Sequence, residues 1–260
     1  MGRKESKIQR WASHSLGIIF FALSSQYLIS SPIDHHQERF EDVALKIWEY
    51  AELGYLEEKS SSLLQQELKD SGFTIQSGVA GIPTAFIAEY NNGGPVLGIL
   101  GEFDALPGLS QQNVPFKTAE GLSSANGHAC GHHLFGAASA WAVVAIKDWL
   151  EESGTPGTIR FYGTPAEEGG SGKVYIARDG YFDDVDIVLH WHPASGNSAD
   201  AQSSNSNKSG KFTFSGISAH AASAPEKGRS ALDGVEAMNM MVNRSEEHTS
   251  ELQSPCNLVC

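Results

Sequence analysis

"GHACGHHLFGAASAWAVVAIKDWLEESGTPGTIRFYGTPAEEGG", residues 127–170, runs through a loop, a long helix, a strand and a second loop. The apolar stretch 132–154 is too long for a strand and ends on Gly154, a helix stop. "GTIRFYGTP" (157–165) is a strand-length run rich in β-branched and aromatic residues. Groups able to bind metal or move protons stand in the two loops. Cys130 and His132 enter the helix, and Glu167 and Glu168 follow the strand.

The same alternation extends outward. "ERFEDVALKIWEYAELG" (38–54) places Phe40, Val43, Ala44, Ile47, Trp48 and Ala51 on one helical face. "EEKSSSLLQQELKDSG" (57–72) predicts a second helix stopped by Gly72. "TAFIAEY" (84–90) and "PVLGILGEF" (95–103) predict strands, separated by a turn signal at Asn91–Gly94. Downstream, 171–180 predicts a helix and "VDIVLHWHP" (185–193) a strand ending in His190 and His192. Strands alternating with helices imply an α/β fold, a layered α/β/α domain over 38–200. In such sheets ligands bind beyond the carboxyl ends of the strands, so all three groups of candidate residues fall on one edge. A polar stretch at 197–210 then leads to an alternating segment, "KFTFSGISAH" (211–220), and an amphipathic helix (230–243) with Ser230 as N-cap. These predict the start of a smaller α+β domain over 205–243.

The two ends of the chain read differently from the rest. Arg3, Lys4, Lys7 and Arg10 precede the uncharged apolar run "LGIIFFALSSQYLIS" (16–30). That order predicts a secretory signal peptide within 1–32, and hence export; the alternatives are an anchor or a cytoplasmic protein. "RSEEHTSELQSPCNLVC" (244–260) reads as a translated sequencing-library adapter and is set aside from the fold reasoning. Without it Cys130 is the one cysteine, and no intrachain disulfide is expected. The formal net charge is −13. It stays acidic without the tail, and no basic stripe is present, which argues against nucleic acid as a partner.

One cysteine cannot build a Cys₄ or Cys₂His₂ structural zinc site, and the HxE…PCxxC pattern of zinc deaminases is absent. A catalytic metal needs few protein ligands, an open position and a carboxylate base nearby. The tight loop around Glu167 and Glu168, bounded by Pro165 and Gly169–Gly170, can supply carboxylates for both tasks. A nucleophilic Cys130 paired with a histidine is the competing reading. His128 reads as a loop residue, and His133 as tuning its neighbour or packing. His190 is assigned to the side of its strand opposite His192 and read as structural.

Five segments, "LGEFDALPGLSQ" (within 98–111), "GHACGHH" (127–133), "GTIRFYGTPAEEGGSGKVYIARDGYFDDVD" (157–186), "HWHP" (190–193) and "SAHAASAPEKGRSALDGVEAMN" (218–239), run in the order found in one family. Together they resemble the aminoacylase/carboxypeptidase superfamily of metal-dependent amidohydrolases, in the branch holding the B subunit of aminobenzoyl-glutamate hydrolase. The resemblance covers about residues 38–243. It implies a metallopeptidase-like catalytic domain carrying an inserted lid or dimerisation domain, incomplete here. It implies two divalent cations, zinc or manganese, held by Cys130, His132, Glu168 and His192. It further implies Glu167 as general base, Asp104 as the carboxylate orienting the ligand set, and His220 as a lid histidine reaching the substrate. Glu102 falls where related peptidases carry a metal histidine. The implied reaction is hydrolysis of a small amide: an N-acyl amino acid, aminobenzoyl-glutamate or a dipeptide. The implied assembly is a homodimer through the lid, or one part of a heteromeric hydrolase. The chain as it stands is expected to be inactive by itself. The alternative is a non-catalytic metal-binding remnant.

Overall fold

The computed structural model of the chain describes residues 33–116, 125–199 and 210–244. The leader reading at 1–32 and nearly all of the adapter reading lie outside the described residues, as does most of the polar stretch at 197–210. The chain divides into two compact units, Met1–Asn197 and Ser198–Cys260.

The first unit is built on a five-stranded mixed sheet. Its strands are β1 (Thr74–Ser77), β2 (Phe86–Asn91), β3 (Val96–Gly101), β4 (Thr158–Gly163) and β5 (Ile187–Leu189). They lie in the order β1-β2-β4-β3-β5. β3 runs parallel to both β4 and β5, while β2 is antiparallel to β4 and to β1. The turn at Asn91–Gly94 therefore does not join neighbours, because β4 lies between β2 and β3. The helices are α1 (Gln37–Tyr50), α2 (Glu58–Asp70), α3 (His132–Ser153), a short turn α4 (Glu167–Gly170) and α5 (Gly172–Arg178). α1 stops four residues before the expected end.

The period-2 alternation of the strands sorts side chains into two cores. On one face Phe86, Ala88, Ile99, Ile159 and Phe161 pack with Phe40, Val43 and Ile47 of α1, Leu64 and Leu68 of α2, and Val143 and Val144 of α3. On the other, Ile87, Leu100 and Tyr162 pack with Val79, Ile82 and Ile176 of α5. Helices cover both faces, as the α/β reading required. β5 departs from its expectation. It is three residues long rather than nine, and all three are exposed.

In the second unit α6 (Ala231–Arg244) forms where predicted, and Ser230 Oγ accepts the Asp233 N–H at 3.1 Å as its N-cap. The strand expected over 211–220 does not form; its one ladder contact is the bridge Ile217–Arg229. An alternating pattern makes a strand only where a neighbouring strand satisfies its backbone, and one bridge does not do so.

Candidate metal centre

Three parallel strands deliver the site. β3 ends at Gly101 and is followed by Glu102 and Asp104; β4 ends at Gly163, ahead of Glu167 and Glu168; β5 ends at Leu189, ahead of His190 and His192. α3 begins on His132, and its preceding residue Gly131 is left-handed at φ 86°. A Cβ at Gly131 would lie 3.1 Å from Pro193, so a glycine lets the Cys130 loop close on the His192 loop.

His132 is fully buried at the centre. Its Nδ1–H donates to Asp104 Oδ1 at 2.9 Å, which leaves Nε2 as the free ligating nitrogen. Asp104 Oδ2 accepts the Glu168 N–H at 2.9 Å, so one carboxylate fixes both a histidine and the carboxylate loop. His132 Nε2 and Glu102 Oε2 lie 2.9 Å apart. The two form an ion pair when the ring is protonated; both atoms are buried, as is Glu168 Oε1, 4.0 Å from His132 Nδ1. Buried polar atoms rarely lack a hydrogen bond, and the adjoining His132 Nε2 and Glu102 Oε2 fit a shared cation. Two ligand groups meet here: Cys130, His132 and His192, and Glu102, His132 and Glu167, the donor atoms of each group lying within 4.8 Å of one another. Both rely on the single free nitrogen of His132. Within the second group it is Glu167, not Glu168, that stands beside Glu102.

The electrostatics point the same way. Burial alone would lower the His132 pKa, but Asp104 and Glu102 outweigh it and push it up to about 10. Burial alone would raise Glu102, but His132, His190 and Lys173 hold it well below the usual carboxylate range. Burial raises Glu168, and burial with the carboxylates around it raises the Cys130 thiol to about 11. The pocket demands positive charge, and a divalent cation would supply it while drawing both sulfur and carboxylate into their ionised forms.

Of the expected ligands, Cys130, His132 and His192 form one group, while Glu168 belongs to neither group, its Oε1 lying 4.0 Å from His132 Nδ1. Cys130 Sγ is 3.4 Å from His192 Nε2, and the His132 and His192 rings are 5.6 Å apart. Glu167 is the open one, with its side chain 44% exposed. His220 belongs to the second unit. There its Nδ1 accepts the N–H groups of Ala222 and Ser223, both at 3.2 Å, which leaves Nε2–H as a free donor. His128, fully buried, is bonded to the Ile47 carbonyl at 3.0 Å, and its ring lies tilted against that of His133, centroids 5.2 Å apart. Burial lowers both to about 4.

The assignment of His190 is corrected. Residues two apart along an extended segment share a face. His190 lies on the same side as His192, against Phe135 (centroids 5.0 Å), with Nε2 3.4 Å from Glu102 Oε1. Three further contributors were not singled out from the sequence. Phe135, one turn into α3 from His132, packs against His132, His190, Trp191 and His192. Ser139 accepts the Trp191 indole N–H at 2.9 Å and anchors the His192 loop. Lys173 ion-pairs with Glu102. The i, i+3 step from His132 to Phe135 was a readable signal; Lys173 offered none, because its partner is 71 residues away.

Residues 98–238 match peptidase family M20/M25/M40. The chain is similar to the B subunit of p-aminobenzoyl-glutamate hydrolase of Escherichia coli K12, with 44% identity over 223 residues, covering 86% of this chain and 46% of that protein. It is 32% identical to the human Xaa-Arg dipeptidase over 218 residues, covering 77% of this chain and again 46% of the relative. Among solved structures it superposes on the aminobenzoyl-glutamate utilization protein of Klebsiella pneumoniae with a TM-score of 0.58 at 18% identity, covering 85% of this chain and 61% of that one, a likeness of fold. A Bacillus subtilis protein described as a dinuclear metal binding peptidase of the M20 family gives 0.51 at 25% identity, covering 62% and 44%. The chain thus spans about half the length of the curated relatives it matches.

Proposed function

The chain belongs to peptidase family M20/M25/M40, and on that premise we propose that it is the metal-binding part of an amidohydrolase. The substrate is a small amide ending in an amino acid: aminobenzoyl-glutamate, an N-acyl amino acid or a dipeptide. The carrying observation is the group of Glu102, His132 and Glu167, whose donor atoms lie within 4.8 Å of one another, with Glu102 Oε2 and His132 Nε2 buried and Glu167 open.

Cys130, His132, Glu168 and His192 would hold divalent cations, zinc or manganese, with Glu102 as an additional candidate ligand. Bound there, the cations would lower the pKa of a water and polarise an amide carbonyl. Glu167 accepts the proton of that water and passes it to the leaving amine, a task that needs a carboxylate reachable from solvent. Asp104 holds the His132 tautomer and, through the Glu168 N–H, the carboxylate loop. His220 keeps its Nε2–H free to donate, the role the family resemblance gives a lid histidine. The cysteine-nucleophile reading needs a lowered thiol pKa, whereas the Cys130 thiol without metal is pushed up to about 11.

The Escherichia coli relative is the B member of a named pair, and the A member of p-aminobenzoyl-glutamate hydrolase also matches this chain at 29% identity, which supports an assembly with a second, related protein. The test is release of p-aminobenzoate from p-aminobenzoyl-glutamate by the purified full-length parent protein, alone and with such a partner. Turnover that vanishes on chelation and returns with zinc or manganese supports the reading. Turnover that survives chelation overturns it.

A further inference from the structure

The segment 52–57, "ELGYLE", begins where the helical pattern was expected to continue and is instead an irregular strap behind the metal centre. Leu53 bridges to Ala105, and Ala105 N–H donates to the Glu52 carbonyl at 2.8 Å. Gly54 lies flat against Ala166: a Cβ there would sit 3.0 Å from both Cα and Cβ of Ala166. Tyr55 O–H donates to the Gly170 carbonyl. Glu57 is fully buried. Its Oε1 accepts the Ala166 N–H at 2.8 Å, and its Oε2 accepts the Thr84 hydroxyl at 3.1 Å. It belongs to neither ligand group.

What it grips is unusual. Ala166 is left-handed at φ 57°, and Ser171, at the other end of the Glu167–Gly170 turn, is left-handed at φ 56°. An L-residue with a Cβ adopts this region only when its surroundings impose it. The strap meets the turn at both ends: Glu57 and Gly54 at its entry, Tyr55 at its exit. A carboxylate is a strong acceptor for a backbone N–H, and a buried one is costly unless its bonds serve the fold or the site.

We propose that Glu57 is a positioning residue: by holding Ala166 in the left-handed conformation it aims the Glu167 carboxylate at the reacting water and sets Glu168 within reach of the metal. The inference rests on the amidohydrolase reading of the site. Removing the clamp would let Ala166 relax toward an ordinary backbone conformation and swing both carboxylates, while leaving the metal ligands on the other loops in place.

The experiment uses the metal-loaded full-length parent protein and p-aminobenzoyl-glutamate. E57A and E57D both withdraw the acceptor from Ala166, and E57D, keeping charge and polarity, guards against a failure to fold. The expected result for each, assayed at saturating metal, is a fall in kcat of at least tenfold with KM within about threefold, accompanied by weaker metal affinity as Glu168 is displaced. E57Q retains an oxygen for the Ala166 N–H and is expected to restore kcat to within about threefold of the parent. A folded, metal-loaded E57A or E57D with parental kcat overturns the proposal, as does a loss that tracks only melting temperature and is no better in E57Q. If the parent itself does not hydrolyse the amide, the amidohydrolase reading fails. The inference is then decided by the visible absorption of the cobalt-substituted proteins: a shifted band in E57D, absent from E57Q, upholds the clamp, and identical spectra overturn it.

Discussion

Ile159 and Ile187 flank Leu97 from opposite sides of β3, in one row of the sheet. The first is 1% exposed and the second 56%. Both sit in apolar, β-branched runs that read alike as sequence. β4 is sandwiched between β2 and β3 under α3, whereas β5 pairs with β3 alone. Burial therefore belongs to a strand's neighbours, not to its own residues. The metal centre is also divided, along a different line. Glu102 and Asp104, beyond β3, and His132, at the start of α3, form a buried half, each at most 2% exposed. Glu167, beyond β4, and His192, beyond β5, form an open half.

The two halves do different work, and the largest test addresses the open one. Glu167→Gln keeps shape and removes the proton acceptor. A general base contributes about 10²–10⁴-fold, so kcat of the parent enzyme should fall by that order with metal stoichiometry unchanged by atomic absorption. Loss of metal along with activity would show Glu167 to be a ligand, consistent with its place beside Glu102 in the second ligand group, and would erase the division. Next in size is Ile159→Ala in the covered row. A buried aliphatic truncated to alanine costs about 2–5 kcal/mol, readable as a fall in the urea midpoint. Third, Asp104→Asn strikes the buried half. Asparagine has one oxygen where two donors, His132 Nδ1–H and Glu168 N–H, now find two. Loss of such a supporting partner lowers metal affinity by about 10–100-fold, measurable by competition with a chromophoric chelator. An unchanged affinity would mean that the buried half does not organise the ligands.

Much of this arrangement was legible in the sequence because it rests on local periodicity. The long helix from His132, the strand at Thr158–Gly163 and the convergence of three ligand-bearing loops follow from runs that announce themselves. What escaped rests on tertiary partners. β1 reads "TIQS", too polar and short to signal a strand, and exists because β2 pairs with it. The start of the 52–57 segment continues a helical pattern, yet α1 ends in a left-handed Ala51 at φ 43°, and the Glu52 carbonyl is taken by Ala105 instead. Lys173 meets Glu102, and Glu57 meets Ala166, across more than 70 residues, with no spacing rule to connect them. The His190 assignment was a misreading of a rule the sequence does obey, since i and i+2 share a face.

The smallest expected effect closes the comparison with Ile159. At Ile187 the side chain is more than half exposed, β5 is three residues long, and its outer edge has no neighbour among the described residues. Truncation there removes little buried area and leaves no cavity, so Ile187→Ala should cost under about 1 kcal/mol in the urea unfolding of this chain, within the range of surface substitutions. The same substitution one strand pair away, on the other side of Leu97, should cost several times more. Equal costs at the two positions would mean that the β5 row is covered in solution. A midpoint that rises with protein concentration would then identify the cover as a second copy of the chain, because only association makes stability depend on concentration.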